Sequence, residues 1–236
     1  GSRLDTKSTG SPITTFAREA KKIMVDIDPH ELSKFSYFGL EMDLLIHDDL
    51  KKFFKVINSY NYNNNNNKFD KWISRIKRWR DDLTIINYNN ISSKNLEPYS
   101  TFNLLSKYLP SNCHIYIDTG CSIAWAMQSL RLGKSQRIFH DFNNTAMGWA
   151  LPASIGSYFS RTSDHIICII GDGSLMMTLQ ELATLKHHKI PLKIILINNS
   201  GYSMIKQTQD QWLSSKYIAS STKGGLSFPN YKSLAH

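Results

Sequence analysis

The sequence predicts an α/β fold: a doubly wound, mostly parallel sheet over residues 95–236, preceded by a partial α/β domain. Three observations carry this. From about residue 95, short apolar runs alternate with helical patterns, as in a parallel sheet covered on both faces. Several of those runs end in Gly, Asp or Asn, and in such sheets ligands sit at the carboxyl ends of the strands. The first 57 residues carry strand and helix patterns of their own, set apart by an Asn run and a basic helix.

Residues 1–57 open with "GSRLDTKSTG", which has no initiator Met and reads as the start of a piece of something longer. "KKIMVDIDP" is a strand-like run ended by Pro29, and "DDLKKFFKVI" follows as a helix. Residues 58–94 form a linker. Its "NSYNYNNNNNKFD" reads as a surface loop, because Asn side chains compete with regular backbone pairing. The helix "KFDKWISRIKRWRDDL" then places Phe69, Trp72, Ile73, Ile76, Trp79 and Leu83 on one apolar face.

In the third block "EPYSTFNLLSKYL" is a helix and "CHIYIDTG" a strand. "IAWAMQSLRL" is a helix and "RIFHDF" a short strand. "MGWALPASIGSYFS" has small residues spaced for a tightly packed helix, and "HIICIIGDG" is a strand. "TLQELATLKHHK" is a helix, with His187 and His188 at its solvated end, and "LKIILINN" is the last strand.

Composition excludes some functions. No apolar run approaches the ~18–20 residues that a membrane span needs, and no signal peptide is evident. Three cysteines without metal-ligand spacing argue against a disulfide framework, so a reducing, cytoplasmic setting is expected. The formal charge is +9, and residues 51–94 supply +7 of it with ten Lys/Arg against three Asp. No nucleic-acid motif accompanies that charge, so it reads as the solvated face of the basic helix.

"IIGDGSLMM" departs from its surroundings. An apolar strand ends in Asp172 between Gly171 and Gly173, then runs into a helix. Glycines let the backbone turn sharply and approach a ligand, and a helix start suits a phosphate. A carboxylate there would repel the phosphate unless a cation lay between them. Mg²⁺ takes oxygen from carboxylates, amides and phosphates together. In "LINNSGY", with 24 residues between Gly173 and Asn198, Asn199 can bring an amide oxygen from the adjacent strand. Taken alone, each motif is an ordinary turn. Met147 and Met204 taken alone read as core packing, and Cys121 has no evident His partner to activate it.

The paired G-D-G and N-N is the thiamine diphosphate signature, and the resemblance runs the length of the chain. The sequence resembles the C-terminal portion of acetolactate synthase-like thiamine diphosphate enzymes. "GSRLDTKSTG" and "KKIMVDIDPHEL" resemble segments of their central domain; "DTGCSIAWAMQ", "TAMGWALPASIG" and "GDGSLMMTLQELATLKHHKIPLKIILINNSGYSMIKQTQ" resemble their cofactor-binding domain. The resemblance implies a thiamine diphosphate-binding fold, with Mg²⁺ held by Asp172, Asn199 and the Gly201 carbonyl. It implies a diphosphate met by Gly120, Cys121, Ser122, Gly173 and Ser174, with Gly171 also among the cofactor-binding residues. Met147 would bend the cofactor, the backbone near Thr145 and Met147 would bond its pyrimidine, and Met204 would approach the substrate. The cofactor carries the difficult chemistry on a 2-oxo acid, and the protein positions it.

The resemblance also implies what this chain lacks. The Glu that activates the cofactor lies on an N-terminal domain from a neighbouring subunit, and no segment here resembles that domain. The expectation is a fragment or split half of a homodimeric or homotetrameric enzyme, inactive alone and stopping before the family's C-terminus. Arg3 and Asp5, with Gly1, fit a G-x-R-x-D segment that binds FAD in some members. Thr208 stands where anabolic acetolactate synthases usually carry Trp, which implies a roomier or more polar site. Carboligation of pyruvate leads. Decarboxylation, another acceptor, or a non-catalytic remnant are the alternatives.

Overall fold

The computed structural model describes residues 2–60, 69–83, 86, 96–161 and 165–235. Gly1 and most of the Asn-rich linker therefore lie outside the described residues. The chain divides into two compact units, Gly1–Arg80 and Asp81–His236.

In the first unit, after a single-turn helix α1 (Thr6–Thr9), strands β1 (Ile23–Asp26) and β2 (Leu44–His47) pair in parallel, Ile23 opposite Leu44. Between them lies α2 (Pro29–Ser33), whose start is set by Pro29 at its first turn and by Asp28, which accepts from the His30 N–H. Gly39, at φ +74°, ends the following 3₁₀ turn. Met24, Leu32, Phe35 and Leu40 form a small core. Helix α3 (Leu50–Ser59) is capped by Asp49. Helix α4 (Asp70–Asp82) is the basic helix, and its apolar face stays open. Phe69, Trp72, Ile73, Ile76, Trp79 and Leu83 are each more than 40% exposed. The face is ordered by its own rings, with Trp72 edge-on to Trp79 at 5.5 Å and Arg75 over Trp79.

The second unit is built on a four-stranded sheet, ordered β4-β3-β5-β6 and parallel throughout: β3 (Cys113–Ile117), β4 (Gln136–His140), β5 (Ile166–Gly171) and β6 (Lys193–Ile197). Helices α5 (Pro98–Leu105) and α6 (Cys121–Ser129) cover one face, where Phe102, Ile123, Ala126 and Leu130 pack on Ile115, Ile117, Ile167 and Ile169. Helix α7 (Ala150–Phe159), the single turn α8 (Asp172–Leu175) and α9 (Glu181–His188) cover the other, on Tyr116, Ile166, Cys168 and Ile170. Alternate residues of β3 and β5 thus feed opposite cores, as the pleat requires. Helices α10 (Ser203–Trp212) and α11 (Tyr231–Leu234) follow β6. No helix among the described residues is long and apolar enough to cross a membrane.

The chain leaves β3 toward β4 on one side and returns to β5 on the other. That reversal places a crevice at the carboxyl ends of β3 and β5, where doubly wound sheets bind ligands.

Among the element boundaries that differ from the sequence reading, three lie beside the site or lead into it. The strand "RIFHDF" stops at His140 because Asp141 turns the chain: its carbonyl accepts from Thr145 N–H at 2.9 Å and its carboxylate from Ala146 N–H. The helix expected from Met147 starts at Ala150, because Gly148 sits at φ +84° and cannot be helical. The helix expected from Thr178 starts at Glu181, after a turn in which the Glu181 N–H bonds the Thr178 carbonyl.

Candidate functional site

Strand β5 carries five successive buried residues to Gly171, and this run draws Asp172 inside, to 2% exposure. A buried carboxylate needs donors. Asp172 Oδ1 accepts from the Gly173 N–H at 2.7 Å, and Oδ2 from the Gly201 N–H at 3.3 Å. The Asp172 carbonyl accepts from the Tyr231 hydroxyl at 2.9 Å, and burial, Asp172 and Tyr202 push that phenol up to about 12. The Tyr202 ring lies over Gly173 so closely that a Cβ there would stand 2.0 Å from a ring carbon. Gly173 is therefore required by close approach.

Strand β6 delivers Asn198–Gly201 beside this turn. Asn199 is exposed and its amide nitrogen donates to Ser203 Oγ at 2.8 Å, which leaves the amide oxygen as a donor to a cation. Gly201 is buried in an antiparallel bridge with Ser221, and the Tyr202 N–H bonds the Ser220 carbonyl at 3.0 Å. Ser220 is itself buried and bonded to Gln209 of α10. Met204, on the first turn of α10, is 42% exposed and so is no core residue; Thr208 stands one turn later and donates to its carbonyl.

At the end of β3, Gly120 takes φ +92° and caps α6, and no described atom lies within 4 Å of where its Cβ would stand. This is an opening bordered by a helix start. Ser122 is buried and Cys121 half-buried. Burial pushes the Cys121 thiol up, which keeps it protonated and unsuited to act as a nucleophile.

The segment before α7 is held from several sides. Thr145 stands at φ +55°, half-buried, and Met147 is half-buried. A Cβ on Gly148 would meet Thr178 Cγ2 at 2.9 Å, and Thr178 Oγ1 donates to the Gly148 carbonyl. The fully buried Asp118 accepts from the Gly148 N–H at 3.0 Å and the Ala150 N–H at 2.8 Å. Burial pushes Asp118 up, against the pull of Ala150, the Ser174 hydroxyl, Gly148 and Thr119.

Direct bonds therefore gather the segments 118–122, 145–150, 171–174 and 198–201. Sequence reasoning passed over Asp118, Tyr202, Ser220 and Tyr231. Asp118 carried a usable signal, since it ends an apolar strand just as Asp172 does. Arg3 and Asp5 belong to the first unit, where Arg3 pairs with Glu31 at 3.4 Å and Asp5 accepts from Ser8.

Residues 118–236 match the family described as thiamine pyrophosphate enzyme, C-terminal TPP binding domain. The chain belongs to this family. It is 31% identical to an acetolactate synthase large subunit of Cyanidium caldarium, over 100% of this chain and 39% of the relative. It is 30% identical to the acetolactate synthase isozyme 2 large subunit of Escherichia coli (strain K12), over 92% of this chain and 37% of the relative. An acetolactate synthase large subunit of Porphyra purpurea is 29% identical, over 100% and 38%. The chain spans about two-fifths of the length of these curated relatives.

The donor set suits the group this thiamine pyrophosphate family binds. No three His, Cys, Asp or Glu side chains converge among the described residues. A metal here would rest on one carboxylate, one amide and one carbonyl, the hard-oxygen mix that suits Mg²⁺. The open side of Gly120 leaves backbone, rather than a side chain, facing the crevice, whereas the Tyr202 ring lies over Gly173.

Proposed function

We propose that this chain is the cofactor-binding part of a thiamine diphosphate- and Mg²⁺-dependent enzyme acting on 2-oxo acids, with acetolactate synthase-type carboligation of pyruvate as its reaction. The observation that carries this is the buried Asp172 bonded to the Gly201 N–H, which brings the G-D-G turn and the N-N loop to one point. Asp172, Asn199 and the Gly201 carbonyl hold the metal. Gly120, Cys121, Ser122, Gly173 and Ser174 meet the diphosphate, and Gly171 belongs to the same cofactor-binding turn. Met147 would bend the cofactor, the backbone at Thr145 and Met147 would bond its pyrimidine, and Met204 would approach the substrate. The cofactor, when bound, supplies an electron sink for decarboxylation. The chain's own part is to bind, orient and exclude water.

In this reading residues 1–57 end a central domain, 58–94 link, and 95–236 bind the cofactor. The Glu-bearing pyrimidine domain comes from the same or a neighbouring subunit of a homodimer or homotetramer. FAD concerns Arg3 and Asp5 in the longer protein, where a flavin spectrum tests it. Thr208, exposed one turn beyond Met204, favours an acceptor other than pyruvate as the second reading.

Titrating the assembled enzyme, pyrimidine domain included, with thiamine diphosphate in the presence and absence of Mg²⁺ tests the site. Asp172→Ala should weaken Mg²⁺-dependent binding by at least ~100-fold, since even outer-shell changes at metal sites cost 10–100-fold. Unchanged binding would remove the metal assignment. Incubating the longer protein with pyruvate should yield acetolactate and CO₂. Bound cofactor without acetolactate would move the search to other 2-oxo acids and acceptors.

A further inference from the structure

Asp118 is fully buried, and no part of the proposed chemistry uses it. It follows the last residue of β3 and sits two residues before Gly120, so one side of the crevice moves with it. Its two oxygens accept from the Gly148 and Ala150 N–H groups, 30 and 32 residues further on. Those two donors flank the start of α7, whose own cap residue, Trp149, provides no side-chain bond. The first N–H groups of a helix lack partners within it, and a carboxylate there also meets the positive end of the helix dipole. Asp118 thus caps α7 from another strand. The Ser174 hydroxyl and the Thr119 N–H interact with the same carboxylate.

We infer that Asp118 is a positioning residue that locks together the three segments 120–122, 145–148 and 171–174, and so sets where Met147 stands relative to the diphosphate-binding turns. This rests on the cofactor reading given above. An ionised carboxylate suits the task because it only accepts. Asn in its place turns one acceptor into a donor facing an N–H group. A second lock works on the same segment, since Thr178 Oγ1 holds the Gly148 carbonyl at 3.1 Å. Asp118 holds the peptide group before the Gly148 Cα through its N–H, and Thr178 holds the peptide group after it through its carbonyl.

Amide exchange in the cofactor-free protein tests the lock without any catalysis. In the wild type the Gly148 and Ala150 N–H groups should be protected like those of β5, whereas Ala146, whose partner among the described residues is the part-exposed Asp141, should exchange far faster. In Asp118→Asn the Gly148 and Ala150 groups should exchange ~10–100-fold faster relative to β5, the factor expected when a buried donor loses its acceptor. Thiamine diphosphate with Mg²⁺ should bind at least ~10-fold more weakly to the same variant. Leu130→Ala, a buried change at the far end of α6, controls for general loss of stability and should shift neither ratio. Unchanged exchange in Asp118→Asn would overturn the lock. So would equal losses in Leu130→Ala, or faster exchange with cofactor affinity intact. If Asp118→Asn does not fold, fast exchange at Gly148 in the wild type still overturns it. If the wild type shows the protection and Asp118→Asn the loss, yet neither binds thiamine diphosphate when assembled with the pyrimidine domain, the cofactor reading falls and the lock at α7 stands.

Discussion

Gly201→Ala probes the site through its backbone. The new Cβ would stand 2.5 Å from the Ser220 carbonyl oxygen and 2.6 Å from Lys206 Nζ. The lysine can swing away, but the carbonyl cannot, because Ser220 is buried and tied to Gln209. Ordinary van der Waals contact begins at 3.4 Å, so the two strands of the bridge must part by about 0.9 Å. The Tyr202 N–H to Ser220 bond, now 3.0 Å, would then stretch past hydrogen-bonding distance. Overpacking costs about 1–3 kcal/mol, and the lost bond about 0.5–1.5 kcal/mol more. A loss of roughly 2–4 kcal/mol should lower the melting temperature by roughly 5–15 °C for a unit of this size. The shift also withdraws the Gly201 N–H from Asp172, so Mg²⁺-dependent thiamine diphosphate binding should fall with it. Thermal unfolding and exchange at the Tyr202 amide read the two effects separately. A variant that melts with the wild type and keeps the Tyr202 amide protected would refute the reasoning.

Thr145→Gly should stabilise the protein by about 0.5–1 kcal/mol in denaturant titration. It removes a left-handed conformation costing roughly 1–2 kcal/mol in an L-residue, against the added chain entropy of glycine; a loss of stability would mean that the Thr145 side chain makes a bond worth more than the strain. Thiol titration at neutral pH should show no fast-reacting cysteine in the folded protein and three after denaturation. Burial raises Cys113 and Cys121, and it pushes Cys168 up to about 12 against a bond from Ser154. Rapid labelling of Cys121 would reopen it as a nucleophile.

The legible part of the site is the local part. Gly171, Asp172 and Gly173 stand together because a strand, a sharp turn and a helix start share one short stretch, and each leaves its mark in residue type. The N-N loop is legible because one helix and one strand fix its distance from that turn. The alternation of apolar runs likewise announces β3 to β6. Asp118, Tyr202 and Tyr231 are different. Asp118 meets donors 30 and 32 residues away, and Tyr231 meets the Asp172 carbonyl 59 residues away. No periodicity links such pairs, since tertiary packing brings them together after the strands have found their order. The late start of α7 has the same origin, because Gly148 takes its positive φ from what packs around it.

The two buried aspartates then differ in where their donors come from. An ionised carboxylate has about four acceptor positions. Asp118 accepts from the Gly148 and Ala150 N–H groups at 3.0 and 2.8 Å, both on another segment, and the Ser174 hydroxyl and Thr119 also act on it. Asp172 accepts one close bond from its own neighbour at 2.7 Å and one long bond from Gly201 at 3.3 Å. A long bond compensates buried charge less than a short one, and a cation would offset the remaining cost. The same bond draws Gly201 to Asp172, and with that residue the carbonyl that completes the proposed donor set. Asp118 thus ties one segment of the protein to another, whereas Asp172 is the carboxylate that the proposed metal would use.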